Sequence, residues 1–293
     1  MVTDRKIVVS REGESVVLTD TPFSVEEIKG FDSIEVKVVT TQGFDQDGST
    51  PVNIYTDDRP LEIIGKIYAE STWKMQELRD QLFNLFLPKV ELEIRHSYGG
   101  VPRKIKAYAE KTPQISLTKV SKLQEYKVKL KATDPYWRED KNSLVEMAGT
   151  KGKFHFPLVI PKKRGVIFGV KSTSKMASVP NRSAVKTGMT ITFTARGSVV
   201  NPYVINIYTR ECFQLNCAME DGQSIIVETG DEKTVTSRLS GVTEDYIGYI
   251  DIAGGNYTFL ELAPGDNVFR YGAESGEDYL AVKFVYATKY TGV

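Results

Sequence analysis

The chain has 293 residues, 41% of them hydrophobic and 26% charged, a composition ordinary for a globular protein and long enough for about two domains. Lysine plus arginine and aspartate plus glutamate each total 38, and this zero balance excludes a general nucleic-acid binder, which needs a basic excess to neutralise phosphates. No run approaches the roughly 18 apolar residues of a membrane-spanning helix, and Met1 to Ser10 lacks a charged-then-apolar signal pattern, so the chain is expected to be made in the cytoplasm.

The first half reads as strands with one helix. Ile34, Val36 and Val38 alternate with Glu35 and Lys37. Residues 42–60 are rich in turn formers, with Gly43, Asp47-Gly48, Pro51 and Asp57-Asp58, and read as an extended loop or hairpin arm. A strand follows at 61–69. The spacing of Met75, Leu78, Leu82, Leu85 and Phe86 by three and four predicts a helix over 72–87, capped by Ser71 or Thr72 and ended by Pro88. Its apolar stripe is expected to pack across the face of a sheet. Val90, Leu92 and Ile94 alternate in the next strand, Gly99-Gly100 marks a hairpin tip, and residues 103–109 return.

In residues 124–131, Tyr126, Val128 and Leu130 alternate with Lys127, Lys129 and Lys131. Period two puts one apolar face inward and a row of lysines outward. That row is either a solvated face or a candidate assembly face. Asp134-Pro135 stops the strand, and Tyr136 and Trp137 follow at once. Asp134, Pro135, Tyr136 and Trp137 form the candidate interdomain seam, with domains expected at 1–135 and 136–293.

Beyond the seam no comparable helix is predicted. Short strands are expected at 154–160, 166–170, 190–195, 203–209, 224–228, 234–239, 246–252, 258–262 and 279–287, separated by Gly, Asn, Asp and Pro turns. This spacing favours a β-sandwich.

Chemistry is sparse. His96 and His155 are the only histidines, and neither sits in a nucleophile motif. Cys212 and Cys217 lack companions for a zinc site and read as reduced thiols. No phosphate loop, dinucleotide fingerprint or paired-histidine zinc motif is present. Glu220-Asp221 and Glu244-Asp245 read as turn charges rather than as a catalytic carboxylate pair. No catalytic residue, metal ligand or cofactor is assigned. The 15 tyrosines and 13 phenylalanines fit core and subunit contacts, or a platform on which sugars stack.

Four segments carry a resemblance to the distal tail proteins of siphophages. Gly43 to Gly48 with Arg59-Pro60-Leu61-Glu62-Ile63 resembles the family's early glycine–aspartate loop and the strand after it. The 72–87 helix, Pro88 and the 90–94 strand resemble its next step. Leu130 to Trp137 resembles the close of its first domain. Gly197, Asn201-Pro202, Asn206, Thr209 and Leu262-Ala263-Pro264-Gly265-Asp266-Asn267 resemble its galectin-like sandwich, and Arg210-Glu211 departs from a glycine-containing turn there.

The resemblance implies a mainly β fold: an N-terminal β-sandwich-like domain with one α-helix and a C-terminal galectin-like, carbohydrate-module-like β-sandwich. It implies a hexameric ring at the virion tail tip, with the tail tube protein on one side and the hub or tail-associated lysin on the other. Receptor-binding proteins would attach to the outer domain. The alternative is a carbohydrate-binding module for host wall polysaccharide; a wall-degrading enzyme is disfavoured by the missing motifs.

Overall fold

The computed structural model describes residues 5–116, 122–147, 150–152, 169–171 and 175–293, the two short triplets by backbone alone. The strand expected at 154–160, most of that at 166–170, and His155 lie outside the described residues. The fold is mainly β with one α-helix, and it forms two compact units, Met1–Asp140 with Lys289–Val293, and Lys141–Thr288.

The first unit runs β1 (Arg5–Arg11), β2 (Glu14–Val17), β3 (Phe23–Lys29), β4 (Val36–Thr41), β5 (Thr50–Thr56), β6 (Arg59–Tyr68), α1 (Thr72–Leu85), β7 (Glu91–Tyr98), β8 (Val101–Ala109), β9 (Gln114–Ile115), β10 (Leu123–Ala132) and β11 (Trp137–Glu139). Its main sheet has the order β2-β1-β7-β8-β10-β6-β3, and all its pairings are antiparallel. Alternation decides which side is wet. Leu61, Ile63 and Ile67 from β6, Leu92 and Ile94 from β7, and Tyr126, Val128 and Leu130 from β10 are buried, while their neighbours in sequence point outward.

Helix α1 adds Met75, Leu78, Leu82 and Leu85 to this core. Ser71 Oγ accepts from the Lys74 amide at 3.2 Å and caps its start. It ends two residues earlier than the stripe predicts. Pro88 disfavours helical backbone at Leu87, so Phe86 leaves the helix with φ −95° and ψ 44° and still buries its ring.

Gly65 is fixed by a close approach. A Cβ there would lie 1.8 Å from the Ser24 carbonyl oxygen and 2.7 Å from the Tyr126 ring. Tyr126 occupies that space and donates its hydroxyl proton to the same oxygen at 3.0 Å. Burial drives its ionisation above the ordinary tyrosine range.

The second unit contains β12 (Ser143–Met147), β13 (Thr150–Gly152), β14 (Gly169–Lys171), β15 (Met176–Asn181), β16 (Thr190–Ala195), β17 (Val199–Val200), β18 (Tyr203–Asn206), β19 (Cys212–Gln214), β20 (Ala218–Met219), β21 (Ser224–Glu228), β22 (Thr234–Leu239), β23 (Val242–Asp245), β24 (Gly265–Gly272) and β25 (Leu280–Tyr286). A six-stranded sheet, β12-β25-β16-β21-β22-β23, and a four-stranded one, β15-β24-β18-β19, share one core. Phe269 of one sheet and Phe284 of the other pack with ring centroids 5.2 Å apart. The expected 203–209 strand ends at Asn206, whose side-chain oxygen accepts from the amides of Tyr208 and Thr209 and turns the chain. Arg210, where the family pattern suggested a glycine, takes φ 62°. Residues 246–252 and 258–262 are irregular rather than regular strands, and a 3-10 turn covers Ile247–Tyr249.

The chain then returns to the first unit as β26 (Lys289–Tyr290), which pairs with β11 through Trp137↔Tyr290 and Arg138↔Lys289. Among the described residues no helix is long and apolar enough to cross a membrane.

Candidate assembly surfaces

The hairpin β4–β5 is the least covered part of the first unit. It is a separate two-stranded sheet, and nearly every residue in it is exposed. The register pairs Val36 with Thr56 and Val38 with Ile54, so period two puts Val36, Val38 and Ile54 on one side, while Val52 is exposed at a register shift where the ladder skips it. Val38 is 55% exposed, Ile54 62%, and Phe44 at the tip is fully exposed. Lys37 pairs with Asp57 at the base, and its partner holds the Asp57 carboxyl below the usual range. A lone hairpin is marginal in water, and an apolar stripe of this kind is characteristic of a surface that meets another protein.

The lysine row lies on the outer face of β10, opposite the buried Tyr126, Val128 and Leu130. It is not a row of bare cations. Lys127 and Lys129 approach Glu62 at 3.0 and 3.9 Å, Lys29 approaches the same carboxylate at 3.4 Å, and Lys131 pairs with Asp58 at 2.8 Å. The hydrogen bond from Lys127 leads in holding the Glu62 carboxyl below its ordinary value. Asp58 does the converse for Lys131, keeping its ammonium protonated further into base.

Asp134, Pro135, Tyr136 and Trp137 come together beside residues 289–293, within the first unit. Asp134 accepts from Arg138 Nη2 at 2.7 Å and lies 3.5 Å from Lys289 Nζ. Pro135 is buried. Lys289 Nζ stands 5.2 Å from the Tyr136 ring centroid. Trp137 is completely buried in the first core, 5.2 Å from Phe31 and 6.2 Å from His96 between ring centroids. The returning chain is held by backbone contacts that no sequence pattern announced. Arg59 and Arg103 donate to the Thr291 and Gly292 carbonyls, and the Val293 amide donates to Phe31 O at 3.2 Å. Arg103 also lies 3.8 Å over the Tyr290 ring.

His96 is buried, and this burial, aided by Arg5 and Arg103, pushes its pKa down to about 4. It is therefore a neutral core residue near pH 7. Cys217 is buried, Cys212 half-buried, and burial pushes both thiols up to about 11, so they are poor nucleophiles. Among the described residues no cluster of three or more His, Cys, Asp or Glu could hold a metal ion.

Comparison with known proteins matches the first unit and the whole fold separately. Residues 11–132 match the family model for the phage tail protein RIFT-related domain. The whole fold is similar to the Dit protein (gp 19.1) of phage SPP1, described as a paradigm of the hub adsorption apparatus in phages that infect Gram-positive bacteria. That likeness has a TM-score of 0.69 at 12% identity and covers 97% of this chain and 99% of that one. A chain of the phage P2 baseplate, in its activated conformation with calcium, matches with a TM-score of 0.60 at 11% identity over 100% of both chains. The strontium form of that baseplate matches at 0.60 and 10% identity, over 99% of each chain. No curated protein matches by sequence. Residues 11–132 thus match a phage-tail RIFT-related domain, and the whole chain has the fold of the SPP1 Dit protein.

Proposed function

We propose that this chain is a non-catalytic ring subunit of a phage tail tip. Six copies close around a channel and join the tail tube to the hub or tail-associated lysin, and the second unit serves the receptor-binding apparatus. Its place is the virion tail tip, after assembly in the host cytoplasm. The observation that carries this reading is the β4–β5 hairpin, whose apolar stripe of Val36, Val38 and Ile54 is left uncovered by its own chain. A ring built head to tail uses such a surface once per subunit and leaves none exposed. The fold likeness to Dit and the RIFT-related match point the same way. In this reading Lys127, Lys129 and Lys131, with Glu62 and Asp58 among them, form a charged face toward a neighbour, the tube or the channel, and Asp134 to Trp137 mark the passage toward the second unit. Light scattering on the purified chain tests the ring: a mass of six subunits is expected, with rings in negative-stain images. A monomer at high concentration, with no ring formed on a tail-tube partner, would sink the proposal.

One observation favours a second reading, sugar binding by the second unit. A cavity of about 280 Å3 is lined by residues including Gln223, Ser237, Leu239 and Tyr246. Gln223 Nε2 donates to Ser237 Oγ at 2.8 Å, and Tyr246 stacks on Tyr249 with centroids 4.5 Å apart. Buried amide and hydroxyl groups beside an aromatic pair suit a neutral pyranose. Signal on a glycan array that Gln223→Ala removes would support it; flat binding across all sugars would eliminate it.

A further inference from the structure

Strand β23 ends the six-stranded sheet of the second unit, and among the described residues it pairs with β22 alone. Its backbone is therefore half used. The Tyr246 amide donates to Val235 O at 2.8 Å, which fixes the phase of the antiparallel ladder. Val242 and Glu244 then turn their amides and carbonyls toward β22, while Thr243 and Asp245 turn theirs to the open edge. All four residues are exposed.

The face beside that edge carries an unmatched charge. β22 buries Val235 and Ser237, which marks the core side of the sheet. The register sets Glu244 opposite Ser237 and Val242 opposite Leu239, so Val242 and Glu244 lie on that same side. The core stops short of them. Val242 is 58% exposed, and both residues line the cavity of about 280 Å3 together with Leu239 and Tyr246. Among the described residues no group pairs with the Glu244 carboxylate. Arg238 stands opposite Thr243, on the other face of the sheet. From Leu239 to Phe269 there is no lysine or arginine, while Glu244, Asp245, Asp251, Glu261 and Asp266 all fall there. Beyond the strand, Ile247, Tyr249, Ile252 and Tyr257 are also exposed.

These features decide what can cover the edge. A second copy of β23 is a poor occupant. The two-fold antiparallel pairing that engages both Thr243 and Asp245 places Glu244 directly opposite Glu244, and like charges so placed destabilise a strand pair. The same carboxylate favours a strand with a cation at that position.

We propose that β23 is a docking edge for an extended strand of a partner protein, one with lysine or arginine opposite Glu244 and an apolar residue opposite Val242. Backbone bonds to Thr243 and Asp245 supply the affinity, and the cavity selects the side chain. The methylenes of the basic residue lie along Leu239 and Tyr246 while its charge meets Glu244. An exposed ion pair adds little energy by itself, so the charge sorts partners rather than holding them. The inference rests on the tail-tip reading, in which the second unit serves the receptor-binding apparatus, and it gives that partner a surface and a chemistry.

The test uses the full-length chain and two fluorescent, end-blocked peptides of alternating threonine and valine, with lysine or glutamate replacing the central valine. Anisotropy is expected to show the lysine peptide binding about tenfold more tightly or better. Glu244→Lys reverses that order with an unchanged melting temperature, because Glu244 is exposed. N-methylation of the peptide amides that face β23 abolishes binding. Equal binding of the two peptides overturns the proposal, and so does an order that Glu244→Lys leaves unchanged. Methyl glycosides that bind when neither peptide does give the cavity to a sugar and overturn it as well. Where none of these probes binds, the assembled tail decides. Tails built with Glu244→Lys/Asp245→Lys chains are expected to keep their rings and lose the receptor-binding proteins. Tails that retain those proteins overturn this contact and leave the ring reading intact. A chain that forms no ring removes the tail-tip reading, while the order of the two peptides still decides the edge.

Discussion

Strand β10 and the β4–β5 hairpin carry the same kind of pattern with opposite outcomes. In β10, Tyr126, Val128 and Leu130 are 1% exposed or less; in the hairpin, Val36 and Val38 are more than half exposed. Both alternate apolar with polar residues. The difference lies in what flanks them. β10 sits between β8 and β6 with helix α1 contributing to the same core, whereas β4 pairs only with β5. Period two shows that a strand has an apolar side, and says nothing about which molecule covers it.

The comparison is broken most severely by placing charge on the hairpin. Val38→Asp/Ile54→Asp is expected to abolish assembly in light scattering while the melting temperature stays within about 2 °C, because those side chains are already in water. The equivalent change in cost falls on folding when the buried side is cut: Trp137→Ala is expected to lose about 3–5 kcal/mol in a denaturant titration, through the cavity left against Phe31 and His96. Assembly would then fail only as a consequence of unfolding.

His96 gives a smaller, pH-dependent effect. Its folded pKa of about 4 lies below the ordinary 6.5, so the unfolded chain binds the extra proton between these values. Stability is therefore full above about pH 6.5 and falls as pH drops toward 4, by at most roughly 3 kcal/mol. Chemical denaturation of the wild type and His96→Phe across pH 4–7 measures it; parallel curves for the two would refute the assignment. The smallest effect belongs to the lysine row. Lys127→Gln is expected to change stability by under about 1 kcal/mol, since its pair with Glu62 is solvated, and salt should reduce the difference further. A larger loss in assembly than in stability for the same variant would mark the row as a contact face.

Much of the first unit was legible in sequence. The stripe from Met75 to Leu85 has helical period, and the stretch from Tyr126 to Leu130 has strand period; in both, local pattern and tertiary burial agree. The return of residues 289–293 was not legible. Its hold on Arg59, Arg103 and Phe31 runs through backbone carbonyls and an amide, which have no residue-type signature. Trp137 shows the same limit. As a large aromatic just after Asp134-Pro135 it reads as a seam residue, yet it fills the first core, because β11 pairs with β8 and with the returning β26.

The sequence by itself determined strands such as β6, β10, β16 and β21, helix α1, the lack of recognised catalytic motifs and the family resemblance, because periodicity, turn residues and their order along the chain are local properties. Only the tertiary structure decided which apolar faces stay uncovered. Those depend on pairing between strands far apart in the chain, and a bare face on β4–β5 becomes visible only once every other strand has found its neighbour.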